Sequence, residues 1–304
     1  DLVPAVLGGL AVLSLVGQRE GVAGSLVGLG AAFKLWPALL WPGTLGERRG
    51  RARSALGFLV VGGGLAVVSL IAGGWSRLVS PLAWQQARGL QIESVWATPL
   101  MLVRGIFPGR YEVAISRWQA YEITGDGTSA ALAASSVATL LGYLAIAATY
   151  VLWLRRRDRT VVEAALIMVL VVTVTIVTNK TFSPQYMMWV GGPVAALLVA
   201  AGRTAPVRAV PSWPQLRTLA VSVLVLTLLT QLVYPLLYQP LVHGGRYLLL
   251  ATVVLVVRNL ALVAFLAWLG VLVWRMLRAP ASPRPDRGPA TGPTHDDSER
   301  KVGP

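Results

Sequence analysis

The amino-acid sequence predicts an all-α protein, a polytopic bundle of transmembrane helices, and three observations predict it. The 304 residues are 55% hydrophobic and only 13% charged. Apolar runs approaching the roughly 20 residues that span a bilayer as a helix follow one another along the chain instead of gathering in one core. Arginine clusters border those runs: "ERRGRARS" at 47–54, "RRRDR" at 155–159, then Arg203, Arg208 and Arg217, and the tail from Arg275. A membrane β-barrel would instead show segments of about ten residues alternating apolar and polar, and none is evident.

The formal net charge of +14 has the same origin. In a soluble chain it would suggest a nucleic-acid partner. Here the positive charge sits at the ends of apolar runs, as expected of cytoplasmic loops that orient a membrane protein and touch anionic lipid. Membrane lipids, and no nucleic acid, are the expected partners of these arginines. The absence of Cys removes disulfide and thiolate chemistry, and the two histidines, His243 and His295, lie far apart, so neither a metal site nor a cofactor is expected.

Taken in order, Leu2–Val16 is an apolar run short for a full span. The chain opens inside this run without an initiator Met, so it is expected to be a fragment whose N-terminal helices lie upstream. The second run, 21–42, carries Lys34 and then Pro37 in its middle. A mid-membrane lysine costs about 3 kcal/mol on insertion scales, and proline breaks the helix. With Arg19 on one flank and Arg48, Arg49, Arg51 and Arg53 on the other, the run predicts a re-entrant pair of half-helices, both ends cytoplasmic.

Residues 54–72 form a clean span leading away from the arginine cluster, which places 73–128 on the outer side. That segment holds Trp75, Trp84, Trp96, Trp118, Tyr111 and Tyr121 and reads as an outer loop carrying interfacial helices. Residues 129–154 return to "RRRDR", Val161–Thr178 goes out, 184–201 returns, 216–238 goes out, and 247–274 comes back to a basic end. Residues 1–278 thus form a transmembrane domain. Residues 279–304, rich in Pro, Gly and charge, are expected to be a disordered cytoplasmic tail.

Polar groups gather at three places near the membrane. Lys34 reads either as a lysine that snorkels or pairs with a carboxylate, or as a cation facing a cavity that holds an anionic group such as a lipid phosphate. The stretch "WQQARGLQIESVWATP", 84–99, presents Arg88, Gln91, Glu93 and Ser94 between tryptophans. An amphipathic interfacial helix accounts for it. So does a sugar site, because carboxylates and amides hydrogen-bond hydroxyls and an aromatic face packs on a pyranose.

The third place is "TNKTFSPQYMMWV", 178–190. Asn179 and Lys180 suit the end of a helix, and Ser183 and Pro184 suit an N-cap and first turn. Those roles leave Lys180, Gln185 and Tyr186 crowding one rim, where a helix N-terminus beside a lysine attracts phosphate. At a further outer turn, His243 and Arg246 read either as interfacial turn residues or as a pair for acceptor or phosphate.

The stretches "NKTFSPQYMMWV", "RGLQIESVWATPLML", "GLGAAFKLWPALLWP" and "DLVPAVLGGLAVLSL" resemble the pattern of glycosyltransferase family 87, within the GT-C superfamily of integral-membrane glycosyltransferases. The resemblance runs from Asp1 to about Val190. It implies a GT-C-like fold and transfer of a sugar, commonly mannose, from a polyprenyl-phosphate donor to a lipid or glycan acceptor at the outer face of the cytoplasmic membrane. It also implies inversion, with an acidic general base in a first outer loop upstream of Asp1, so Asp1 is not given that role. Glu93 is then the leading carboxylate present for sugar hydroxyls or assistance to the base, followed by Glu112, Glu122 and Asp126. Lys34, Arg88 and Lys180 would stabilise the departing phosphate. The alternative is a transporter or flippase of lipid-linked sugars, although only one discontinuous run is visible where transporters often pair two.

Overall fold

A computed structural model describes residues 1–204 and 210–280; Arg208 and all but the first two residues of the expected tail lie outside them. Among the described residues, six helices are long and apolar enough to cross a membrane, and the chain is a membrane helical bundle.

Helices α1 (Leu2–Val16) and α2 (Glu20–Phe33) form an antiparallel pair. The chain then reverses at Lys34 and runs back as a 3-10 helix, Trp36–Leu45. Pro37 and Pro42 lie in this segment, and each lacks the amide hydrogen an α-helical ladder would need. Glu20 meets Arg53 at 3.2 Å at one end of the re-entrant pair, while Lys34 meets Asp1 at 2.6 Å at its tip. The run 21–42 therefore starts and finishes at the arginine-rich end, as its flanks predict.

Helix α3 (Arg51–Phe58), a π-turn (Leu59–Gly63) and α4 (Gly64–Ala87) follow as one long helix. Its first part lies against α2 at backbone contact. A Cβ on Gly24 would stand 2.1 Å from the Ser54 carbonyl oxygen. Small residues permit this approach in lipid, where close packing replaces the hydrophobic drive between helices. The span expected to finish at residue 72 bends at Gly74, whose backbone (φ 68°, ψ −175°) suits glycine alone, but helix resumes and continues to Ala87. Trp75 and Trp84 thus lie on the continuation of the spanning helix and not on separate interfacial helices.

The outer segment departs further from expectation. Residues 88–94 are not helical; a 3-10 turn (Val95–Ala97) leads into α5 (Thr98–Ile106), and strands β1 (Glu112–Ile115) and β2 (Tyr121–Thr124) form an antiparallel hairpin with Glu112 opposite Thr124. The stretch 84–99 is therefore not one amphipathic helix. Gln91 bridges to Glu122, which lays the 88–94 segment along the edge of β2.

Helices α6 (Thr128–Arg155), α7 (Val161–Thr178), α8 (Tyr186–Arg203), α9 (Trp213–Gln231), α10 (Tyr238–His243) and α11 (Leu248–Arg278) complete the bundle. α7 is its axis: every residue from Glu163 to Thr178 is buried, as an all-round apolar helix requires. A capping box between Thr160 and Glu163 fixes where it starts. The arginine-rich turns gather at one end, where Arg159 donates to the Gly46 carbonyl (2.7 Å) and Arg156 to those of Met276 (2.7 Å) and Ala279 (2.8 Å). At the opposite end a smaller core of Leu90, Ile92, Met101, Ile123, Leu241 and Leu255 carries the outer segment. Buried Arg104 ties this cap together by donating to the carbonyls of Leu241 (2.8 Å) and Val242 (3.1 Å), which α10 leaves without helical partners.

Candidate functional site: a cationic outer rim

The segment between α7 and α8 is the hub of the end opposite the arginine-rich turns. The Asn179 Oδ1 accepts from the Thr181 amide (3.0 Å) and from Gln85 Nε2 on the last turn of α4 (3.0 Å). Lys180 Nζ donates to the Gln86 carbonyl (2.9 Å), and the Lys180 carbonyl accepts from the Gln91 amide (3.2 Å). One tripeptide thereby joins α4, α7 and the 88–94 segment. Ser183 does not cap α8 with its side chain. The helix begins at Tyr186 after Gln185, and the Ser183 and Pro184 carbonyls accept from Tyr186 (2.9 Å) and Met187 (3.2 Å) in a tight lead-in turn. Gln185 is exposed beside it.

Lys34 rises into this rim from the re-entrant tip. Its ammonium pairs with Asp1, lies 4.6 Å from the Trp189 ring centre and 5.0 Å from that of Tyr186, and shares Asp1 Oδ1 with the Trp189 indole N–H (2.9 Å). Tyr186 stacks on Trp189 at 3.9 Å, and Trp36 packs on the indole at 5.0 Å. A cation over such aromatic faces is stabilised by the ring quadrupoles. Arg88 is within electrostatic reach of both Lys34 and Lys180, the other two cations nominated from sequence. Burial draws the Lys180 ammonium below the usual lysine range; Glu122 opposes this shift and Arg88 adds to it.

Glu122 is a second carboxylate here, after the Asp1 that pairs with Lys34. One of its oxygens accepts from the Gly89 amide at 3.0 Å, and the other covers Gly89 so closely that a Cβ there would stand 2.3 Å from it. The glycine is what lets the carboxylate lie so close to the backbone.

Glu93 lies deeper. Its side chain is 1% exposed and its carboxylate stands 3.5 Å from the Arg258 guanidinium, itself 1% exposed. Arg258 also donates to the Glu93 carbonyl (3.0 Å) and rests over the Phe182 ring at 4.1 Å, while Asn259 donates to the Glu93 and Ser94 carbonyls (both 3.3 Å) and to Thr98 Oγ1 (2.7 Å). Burial pushes the Glu93 carboxyl up to about 7, with Arg258 pulling the other way. Ser94 accepts from the Ala97 amide at 3.1 Å and caps the 3-10 turn, and Gln91 is buried. Sequence reasoning passed over Arg258 and Asn259. The signal was present: a charge and an amide in the middle of an apolar span have to face protein or a partner.

His243 and Arg246 form a separate patch. His243 is exposed and meets Tyr121 edge-on at 6.5 Å; Tyr121 packs on Tyr238 at 5.9 Å, and Arg246 lies over Tyr247 at 5.5 Å. The Tyr238 hydroxyl is held above the usual tyrosine range by burial and then by Glu93. Among the described residues no hydrogen bond or ion pair joins His243 or Arg246 to Lys34, Arg88 or Lys180.

The rim therefore combines three cations, two carboxylates (Asp1 on Lys34 and Glu122 on the Gly89 amide) and an aromatic floor at the end of apolar helices. Such a site can hold an anionic head whose tail lies in lipid, and can orient a hydroxyl beside it. No family profile, curated protein or solved structure matches this chain.

Proposed function

We propose that this chain belongs to an integral-membrane glycosyltransferase that moves a sugar, with mannose the expected one, from a polyprenyl-phosphate donor to a lipid or glycan acceptor on the extracytoplasmic side of the cell membrane. The observation that carries the reading is a cationic rim at the start of α8, where Lys34 lies over Tyr186 and Trp189 and Arg88 is within electrostatic reach of both Lys34 and Lys180. Departure of a polyprenyl phosphate places negative charge on phosphate oxygens, and fixed cations in a partly dry setting stabilise it by a few kcal/mol. The acceptor hydroxyl loses its proton as it attacks the anomeric carbon, so a carboxylate within hydrogen-bond reach is required. Glu122 is placed for hydroxyl binding at the rim, whereas Glu93 is committed to Arg258 and acts on the site through the 88–94 segment.

The re-entrant pair with Lys34 at its tip favours a second reading, a transporter or flippase of lipid-linked sugars, since broken helices ending on a charged residue also line transport sites. Membranes containing the protein, supplied with radiolabelled polyprenyl-phosphate mannose, separate the two. The transferase passes label to a new covalent product, and Lys180→Ala and Arg88→Ala at equal expression lose most of it. Label that crosses the bilayer still attached to its polyprenyl phosphate would replace the transferase by the transporter.

A further inference from the structure

A recess of about 480 Å³ opens between α6, α7 and α11, within the range of about 300–1,000 Å³ typical of small-molecule sites. Its walls are small or apolar: Gly142, Ala145 and Thr149 on α6, Val174 on α7, and Gly270 and Trp274 on α11. The Thr149 hydroxyl is satisfied by the Ala145 carbonyl at 2.8 Å, so it asks nothing of an occupant. A Cβ built on Gly270 meets no atom within 4 Å, so the groove is open there. Charge at one end sets the groove apart from a plain lipid-facing surface. Arg278 lies 4.2 Å over the Trp274 ring. Arg156, at the end of α6, is already engaged by the carbonyls of Met276 and Ala279 and stands 4.0 Å from Glu163. Among the described residues no carboxylate pairs with Arg278.

We propose that this groove binds one anionic phospholipid, an acyl chain lying along Gly270 and the phosphate held at Arg278. Charge complementarity selects this occupant: an exposed guanidinium beside Trp274 at the end of an apolar slot matches a phosphate attached to a hydrocarbon chain. A transmembrane helix, about 10 Å wide with its side chains, would need several times the available volume over the same depth. The site is independent of the outer rim and of the transferase reading.

Native mass spectrometry of the delipidated protein, titrated with phosphatidylglycerol or with phosphatidylcholine of identical chains, tests it. One phosphatidylglycerol binds with about tenfold preference or more. Gly270→Phe removes that bound lipid, and Thr149→Trp does the same should the first variant not fold. Arg278→Gln brings the two lipids to equal occupancy, whereas Val271→Phe, next to Gly270 on the exposed surface, keeps the wild-type preference. Equal binding of the two lipids by the wild type, retention in both filled variants, or an undiminished preference in Arg278→Gln would each overturn the proposal. A photoreactive residue at position 149 that crosslinks to a polypeptide in native membranes would do the same.

Discussion

Replacing Arg258 by Met isolates the interaction that holds the outer segment against the bundle. At 3.5 Å, with both side chains 1% exposed, the Glu93 carboxylate and the Arg258 guanidinium attract by about 5 kcal/mol at an effective dielectric of about 20. Removing one member of a buried pair leaves an uncompensated charge and costs about 3–5 kcal/mol. The cost depends on pH. A carboxyl raised from 4.5 to about 7 contributes stability below the lower value and loses it as pH rises through the higher one, because the charged form is the one that burial penalises. Arg258→Met is therefore most damaging at pH 8, where Glu93 is ionised. At pH 5 Glu93 is protonated, and the loss shrinks to about 1.5–3 kcal/mol for the hydrogen bond to the Glu93 carbonyl. Reversible unfolding in detergent, followed for Arg258→Met, Glu93→Gln and the double variant at both pH values, gives the coupling directly. Strict additivity of the single losses at pH 8, or an Arg258→Met loss that does not change with pH, would refute the reasoning.

Three further outcomes follow from named contacts. Gly24→Leu forces a side chain into the Ser54 backbone and costs at least about 2 kcal/mol in the same unfolding assay, whereas Gly63→Leu, whose Cβ meets nothing within 4 Å, stays within about 0.5 kcal/mol of wild type. Arg104→Leu releases the Leu241 and Val242 carbonyls and loses about 2–4 kcal/mol, read as faster proteolysis of residues 237–243. Gly89→Ala displaces the Glu122 carboxylate while keeping every charge, so sugar transfer falls with little change in melting temperature, and Glu122→Gln falls with it.

The spans were the legible part of this fold. Leu2–Val16 and Val161–Thr178 are bounded in the structure where the apolar runs stop, because polar or charged residues end a membrane helix sharply. Lys34 followed by Pro37 disclosed the re-entrant pair, since neither residue belongs in a plain span. The outer segment was harder to read. α4 runs on to Ala87 through Trp75 and Arg77, where apolarity fades but helix propensity does not, and four-residue strands such as β1 carry too short a pattern to declare themselves. The sequence proposed Lys34, Arg88 and Lys180 as phosphate ligands, and the fold brings Arg88 within electrostatic reach of both lysines. Glu93 could not be weighed from sequence, because its environment is set by Arg258, 165 residues away, in a helix whose mean hydropathy hides that single charge.

A grip of the rim on a lipid phosphate is read most simply as the affinity of the purified protein for a polyprenyl phosphate against the uncharged polyprenol of the same length, in wild type and in an Arg88→Gln/Lys180→Gln variant. Wild type is expected to prefer the phosphate by at least about tenfold, equivalent to about 1.4 kcal/mol, and the variant to lose that preference. Equal affinity for the two lipids in wild type, or an undiminished preference in the variant, would mean that the rim does not hold a phosphate.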